Sequence, residues 1–181
     1  MPLLIAACVV SALLPDDGTV GITAIDKRPV TGPVKVNRYG LYADVQADRK
    51  NHGGLDKALY AYSEEDAAFW RSELGRPLGP GWFGENLRVS GIDVNASRVG
   101  ERWRIGSTVE VEVTMPRSPC ATFARWVGGA HERGWVKRFG DEGRLGAYLR
   151  VVHHGTVTAG DSIEVLSVPS AAPTILELFR S

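Results

Sequence analysis

The sequence predicts a mainly β domain: a barrel-like arrangement of short strands with brief helices at its periphery. Three observations predict it. Residues 108–115 alternate, with Val109, Val111, Val113 and Met115 on one face and Thr108, Glu110, Glu112 and Thr114 on the other. That is the period-two signature of a strand with one buried side. Elsewhere, short apolar runs are separated by turns rich in glycine and proline, the punctuation of an all-β chain. The chain has no dinucleotide fingerprint and no regular alternation of strands with long helices, which argues against a doubly wound sheet. At 181 residues the expectation is one domain, residues 1–181, burying roughly two-thirds of its unfolded surface without staples.

Composition narrows the function classes. Lysine and arginine total 21 and aspartate and glutamate 21, a formal net charge of zero. This argues against coating a nucleic-acid polymer while leaving room for a local basic pocket. Two cysteines, Cys8 and Cys120, make no disulfide framework, and a reducing cytoplasm is the expected compartment. Residues 1–14 form an apolar run without a leading positive charge or a clear cleavage site, too short to span a bilayer. They read as a first buried strand, with Cys8 in the core and no membrane partner.

In chain order, Pro15-Asp16-Asp17-Gly18 is a turn, residues 19–25 a loosely alternating strand, and Val34 to Asn37 a further short strand. Between them, Lys27 and Arg28 precede the rigid Pro29, either as a solvated pair or as an anion clamp. Asp44, Gln46 and Asp48 lie in an acidic loop. Asn51-His52-Gly53-Gly54-Leu55-Asp56-Lys57 gathers a histidine, a carboxylate and an ammonium around two glycines that let the backbone approach a ligand. It reads as a charged surface turn or as a cradle for an anion or heterocycle. Ser63 can cap a helix in which Ala67, Trp70 and Leu74 form the buried stripe and Gly75 the stop, with Asp66 answering the cap. Residues 78–86 form a glycine-rich loop ending in Glu85-Asn86, a pair that recognises a polar ring or ties the loop to itself.

A strand spans residues 99–105, and the alternating strand follows. Pro116 ends it, and Pro119 fixes the backbone before Cys120. Arg117 is near enough in sequence to favour the thiolate, and a soft sulfur beside a cation suits a soft metal, an electrophile or an anionic cofactor. The competing reading is a small buried hydrophobe. Two short helices follow, one holding Phe123, Trp126 and Val127 and one across residues 131–139. A strand at 144–152, a hairpin-like connection at 156–161, a strand from Ile163 and a short terminal helix complete the chain. His153 and His154 are adjacent, point to opposite faces of a strand, and have no third ligand at a useful spacing, so a zinc site is rejected.

Five separated segments then share one pattern: Lys27-Arg28-Pro29-Val30 with Gly32-Pro33; Gly40-Leu41-Tyr42-Ala43-Asp44 with Gln46; His52-Gly53-Gly54 with Asp56-Lys57-Ala58; Phe83-Gly84-Glu85-Asn86-Leu87; and Pro116-Arg117-Ser118-Pro119-Cys120. In this the chain resembles the MOSC family, the domain also found at the C-terminus of molybdenum cofactor sulfurase. Within it, the chain looks most like the bacterial stand-alone branch linked to 6-N-hydroxylaminopurine resistance.

The resemblance covers about residues 20–167. It implies a MOSC-like β-barrel and a molybdenum-pterin cofactor (Moco) whose metal is ligated by Cys120. It further implies cofactor or substrate positions at His52, Gly53, Gly54, Asp56, Lys57, Glu85 and Asn86, with Lys27, Arg28 and Arg117 meeting the cofactor's phosphate. Cys120, His52 and Asp56 are then the expected catalytic residues. Ala43 stands where the family has glycine. Relatives often carry a C-terminal helical extension, for which this chain is too short. The implied reaction is reduction of an N-hydroxylated base or related small N-oxygenated compound. Electrons would come from a partner, a reductase or a ferredoxin- or flavin-type protein, because the chain shows no nicotinamide, flavin or iron–sulfur motif. Two rival readings remain open. One is a non-catalytic carrier of the cofactor or its sulfur; the other is a cofactor-free thiol enzyme with Cys120 as nucleophile and His52 as base.

Overall fold

The structure, a computed structural model, describes residues 1–47, 53–128 and 134–181. In chain order, β1 (Leu3–Val10), β2 (Leu14–Pro15), β3 (Ile22–Thr23), β4 (Lys27–Pro29), β5 (Val34–Asn37) and β6 (Gly40–Leu41) lead to a 3-10 turn at Leu55–Lys57. Then come β7 (Leu59–Ser63), α1 (Glu64–Leu74), β8 (Leu87–Ser90), β9 (Arg102–Ile105), β10 (Val109–Pro116), α2 (Ala121–Val127) and α3 (Trp135–Glu142). β11 (Ala147–His153), β12 (Gly155–Val157), β13 (Ile163–Ser167) and α4 (Ile175–Arg180) end the chain.

The fold is mainly β, as the sequence predicts, built on an eight-stranded sheet ordered β13-β9-β10-β11-β7-β8-β1-β4. Its pairings are antiparallel except β7 with β8, which α1 joins as a β–α–β unit. The sheet does not close as a continuous ladder, so "barrel" describes it only loosely. A single antiparallel bridge, Leu3 with Ser162, laps one end of the sheet against the other.

Residues 19–25 depart from the expected strand. Only Ile22–Thr23 pairs, with Leu14–Pro15, because the preceding loop is drawn instead onto α2. The expected hairpin connection at 156–161 is partly strand, since Gly155–Val157 pairs with β5. The second short helix starts later than expected, at Trp135, and residues 131–133 of that expectation lie outside the described residues.

Two cores fill the molecule. The aliphatic one lies against the sheet, with Val109, Val111 and Val113 buried as the alternation demands. The second is aromatic and lies under the helices, where Tyr62, Trp70, Phe83, Phe123, Trp135 and Phe139 interlock. Ser63 caps α1, its hydroxyl accepting from the Asp66 N–H at 3.0 Å, and Gly75 ends the helix in the left-handed region. Asp66 does not answer the cap. Its carboxylate instead accepts from Arg144 at 2.6 Å and from Asn95 at 2.7 Å.

The loop between α1 and β8 owes its shape to one buried carboxylate. Glu85 accepts from the N–H groups of Gly81 at 2.7 Å and Phe83 at 2.9 Å, and from Arg88 Nε at 2.8 Å. Both side chains of the Glu85–Arg88 pair are fully buried, and Arg88 also reaches Glu64 at 2.8 Å. Gly81 lets this loop touch β4: with φ of 89°, a Cβ there would lie 2.3 Å from the Lys27 carbonyl oxygen. Breaking a buried pair strands the surviving charge, so Glu85→Gln is expected to destabilise the fold by about 3 kcal/mol. Urea denaturation checks this, and a loss below about 1 kcal/mol would contradict it.

Ala43 supplies a second expectation. It is the one non-glycine residue with positive φ, at 69°, among the described residues. An L-residue there costs ~1–2 kcal/mol, part of which glycine returns through its freer unfolded chain. Ala43→Gly is therefore expected to raise the thermal midpoint, with a net gain of about 0.5–1 kcal/mol.

Candidate functional site

One cavity of about 360 Å³ opens beside the aromatic core. Its outer wall is the segment Asp16–Ile25, and the opposite wall is the loop Asp44–Ala47. Lys27 of β4, Tyr60 of β7, Asn86 and Tyr148 of β11 form its inner end, with Arg117, Cys120 and the first turn of α2 on the third side.

The inner end is held by a polar node. Asn86 has both ends of its amide committed. Its oxygen accepts from the Tyr60 N–H at 3.1 Å, and its nitrogen donates to Asp44 at 2.7 Å and to the Cys8 carbonyl at 3.3 Å. Asp44 accepts in turn from the Val10 N–H at 2.8 Å and from the Lys27 ammonium. Lys27 and Asp44 side chains are each only 9% exposed. A buried ammonium is tolerable because the carboxylate meets it there.

Arg117 is the second feature. Its guanidinium is buried, lies 4.0 Å from the Phe123 ring centroid and 5.3 Å from that of Tyr60, and donates to the Phe83 carbonyl at 3.2 Å. Among the described residues no carboxylate pairs with it. Burial alone would pull its pKa down, but Tyr60, Tyr148 and Cys120 outweigh that and hold it above the usual value. Burial pushes Tyr60 itself far above the ordinary phenol range. Cys120, half-buried, sits at the N-terminal boundary of α2 on the same wall. The result is a fixed cation beside a soft sulfur, both facing one cavity.

The sequence-nominated residues divide. Cys120, Arg117, Lys27, Lys57 and Asn86 line the cavity together. Arg28 points to solvent and pairs with Asp26. Glu85 lies one residue away from the wall and is spent on its own loop. Asp56 is outside the cavity, paired with Arg150 at 2.7 Å, while its carbonyl accepts from Thr114 at 2.6 Å. It therefore anchors the turn that carries Lys57. Gly53 and Gly54 flank that turn without lining the cavity, and the Gly54 N–H donates to Gln46 at 3.1 Å. His52 lies outside the described residues.

Cys8 is core, as read from sequence, and burial pushes its thiol up to about 12. Trp82 is absent from the lining, although its carbonyl accepts from Trp126 Nε1 of α2 at 2.8 Å. The sequence reading did not nominate Asp16, Asp44, Tyr60, Thr122, Arg125 or Tyr148. Asp44 carried a signal, standing inside one of the shared motifs. Asp16 and Arg125 are 109 residues apart and carried none.

Asp16 is the peg of the outer wall. Its carboxylate accepts from Arg125 Nε at 2.8 Å and Nη2 at 2.7 Å, from Thr122 at 2.9 Å and from the Gly18 N–H at 3.1 Å. The Arg125 guanidinium leads in holding its pKa down, to about 2.

The MOSC domain pattern matches residues 48–164. The uncharacterized protein YflK of Bacillus subtilis is 38% identical over 151 residues, covering 83% of this chain and 66% of YflK. A protein named Reductase from Gibberella moniliformis is 30% identical over 166 residues, covering 87% of this chain but 28% of that protein. The crystal structure of YiiM from Geobacillus stearothermophilus superposes with a TM-score of 0.78 at 26% identity, over 99% of this chain and 83% of that one. The chain thus spans less than two thirds of the length of the curated relatives it matches, 66% and 28%.

The low pKa of Asp16 fixes a pH dependence. A depressed carboxylate contributes stability above its unfolded value of about 3.9 and loses it as pH falls through the folded one. The gap in thermal midpoint between wild type and Asp16→Asn is expected to be full above pH 5 and to narrow steadily toward pH 2, near the folded value of about 2. A gap that stays constant across that range would contradict the assignment.

Proposed function

The chain belongs to the MOSC domain family, and from that premise we propose that it binds a molybdenum-pterin cofactor in this cavity and reduces small N-hydroxylated bases or related N-oxygenated compounds. The observation that carries the reading is Arg117: a buried guanidinium with no carboxylate partner among the described residues, facing a cavity that also holds a thiol. Aromatic faces, a carbonyl and a thiol partly offset the cost of burying this cation, but no carboxylate balances its charge among the described residues, and an anionic cofactor would supply that counter-charge.

The residues present fit such a group. Cys120 offers a soft sulfur of the kind molybdenum prefers. Lys27, Lys57 and Arg117 line the same space, and a phosphate or a reduced pterin gains from charge-assisted hydrogen bonds worth ~1.5–3 kcal/mol each. Among the described residues no cluster of three His, Cys, Asp or Glu side chains forms a metal site. A metal bound at Cys120 would bring its other ligands with its cofactor.

When bound, the cofactor supplies two-electron redox chemistry. The chain's own part is to hold and tune it: Cys120 as ligand, Arg117 as fixed counter-charge, Lys27 kept in place by Asp44, and Lys57 carried by the turn that Asp56 anchors. The overall reaction balances as R–NHOH plus two electrons and two protons giving R–NH2 plus water, the electrons coming from a partner reductase or a ferredoxin- or flavin-type protein. The match to a protein named Reductase supports the oxidoreductase reading. Among the described residues no helix is long and apolar enough to cross a membrane, and we place the protein in the reducing cytoplasm, where Cys120 stays a thiol.

Two measurements on protein from a cofactor-producing host test this. Wild type is expected to carry near-stoichiometric molybdenum and to reduce 6-hydroxylaminopurine with a chemical electron donor. Cys120→Ser is expected to lose at least ~100-fold of the turnover, since removing even an outer-shell partner of a metal ligand costs roughly 10–100-fold. Molybdenum without turnover would favour a carrier of cofactor or sulfur, and turnover without molybdenum a thiol enzyme.

A further inference from the structure

We propose that the mouth of the cavity selects substrates with an apolar body, and that Val20, Ile22 and Val45 determine that selection. The inference rests on the reductase reading, because it takes the cavity as the path by which substrate reaches Cys120.

The cavity is polar at one end and apolar at the other. Lys27 and Asn86 lie at its inner end, with the buried Arg117 and the largely buried Asp44 on its walls, whereas its rim carries Val20, Ile22 and Val45 at 46%, 44% and 43% exposure. The three aliphatic side chains come from two segments, the outer wall and the loop after β6, and Ala24 and Ala47 continue the same two walls. Other aliphatic side chains, among them Leu13, Leu55, Val165 and Val168, are comparably exposed, but of the exposed large hydrophobic residues described only Val20, Ile22 and Val45 line this cavity. Here they stay half in water beside a site whose deeper groups are charged. An apolar rim around a polar floor suits a ligand with a reactive polar head and a hydrophobic body.

Both walls are pre-organised, which favours binding because little ordering remains to be done when the ligand arrives. The outer wall is pegged to α2 through Asp16, Arg125 and Thr122 and braced by the pairing of β2 with β3. The facing loop is pegged at Asp44 by Val10 and Asn86. Gln46 braces it further, donating to the Lys57 carbonyl at 3.1 Å and accepting from the Gly54 N–H at 3.1 Å. The segments that carry the three aliphatic groups are therefore each tied to the rest of the fold.

The test uses 6-hydroxylaminopurines bearing 9-alkyl chains from methyl to pentyl. For each, kcat/KM is measured on molybdenum-loaded protein and the dissociation constant by calorimetry. A methylene taken fully from water strengthens binding ~4-fold, so about 2-fold per methylene is expected at a half-exposed rim. In the triple variant Val20→Ser, Ile22→Ser, Val45→Ser the gain is expected to fall below about 1.5-fold per methylene. The thermal midpoint, expected to stay within a few degrees because none of the three is core, reports that the variant is folded. A flat dependence in wild type, or an unchanged slope in the variant, overturns the proposal. If no member is reduced while the calorimetric slope appears in wild type and vanishes in the variant, the reductase reading falls and the apolar mouth stands.

Discussion

The Asp44 carboxylate is the contact on which the cavity depends. It joins the Val10 N–H of β1, the Asn86 amide before β8 and the Lys27 ammonium of β4. Asn86 extends the node to the Tyr60 N–H of β7. Four strands that meet at the inner end of the cavity are thus tied by two side chains rather than by ladder bonds alone. The neighbouring Glu85 does the same for the loop that closes above them, accepting from two backbone N–H groups and from the buried Arg88. Adjacent residues therefore divide the work, one tying the loop to itself and the other tying strands to the cavity wall. Buried polar groups are costly when unmet and specifying when met, and here they fix where Lys27 sits.

Much of the fold was legible because its signals are local. Alternation in β5 and β10, the Ser63 cap and Gly75 stop of α1, and the proline-bounded segment before α2 depend on neighbours in sequence, and the structure has all of them. What escaped reading depends on distant partners. Residues 19–25 alternate weakly enough to pass for a strand, yet Asp16 meets Arg125 and the segment becomes a wall instead. The open sheet is a matter of which strands find each other across the chain, and alternation is silent on that. At the site, Cys120 and Arg117 carried a motif, whereas Tyr60 and Tyr148 look in sequence like any strand aromatic. Asp56 illustrates the reverse: chemically eligible in sequence, it lies on the outside with Arg150 and acts on the cavity only through the turn that carries Lys57.

The functional reading follows from electrostatics more than from shape. Lys27 and Arg125 have carboxylates; Arg117 is met by aromatic faces, a carbonyl and the Cys120 sulfur. Aromatic faces stabilise a cation but add no negative charge. The cavity is thus lined by four basic side chains, Lys27, Lys57, Arg117 and Arg125, against the carboxylates of Asp16 and Asp44, in a chain whose net charge is zero, a balance that suits a site receiving an anion.

The most direct test is anomalous diffraction at the molybdenum absorption edge from crystals of cofactor-loaded protein. The account predicts one strong peak inside the cavity, at bonding distance from Cys120 Sγ, with the Arg117 guanidinium against the cofactor's anionic groups. A peak elsewhere in the molecule, or none in protein that contains stoichiometric molybdenum, would contradict it.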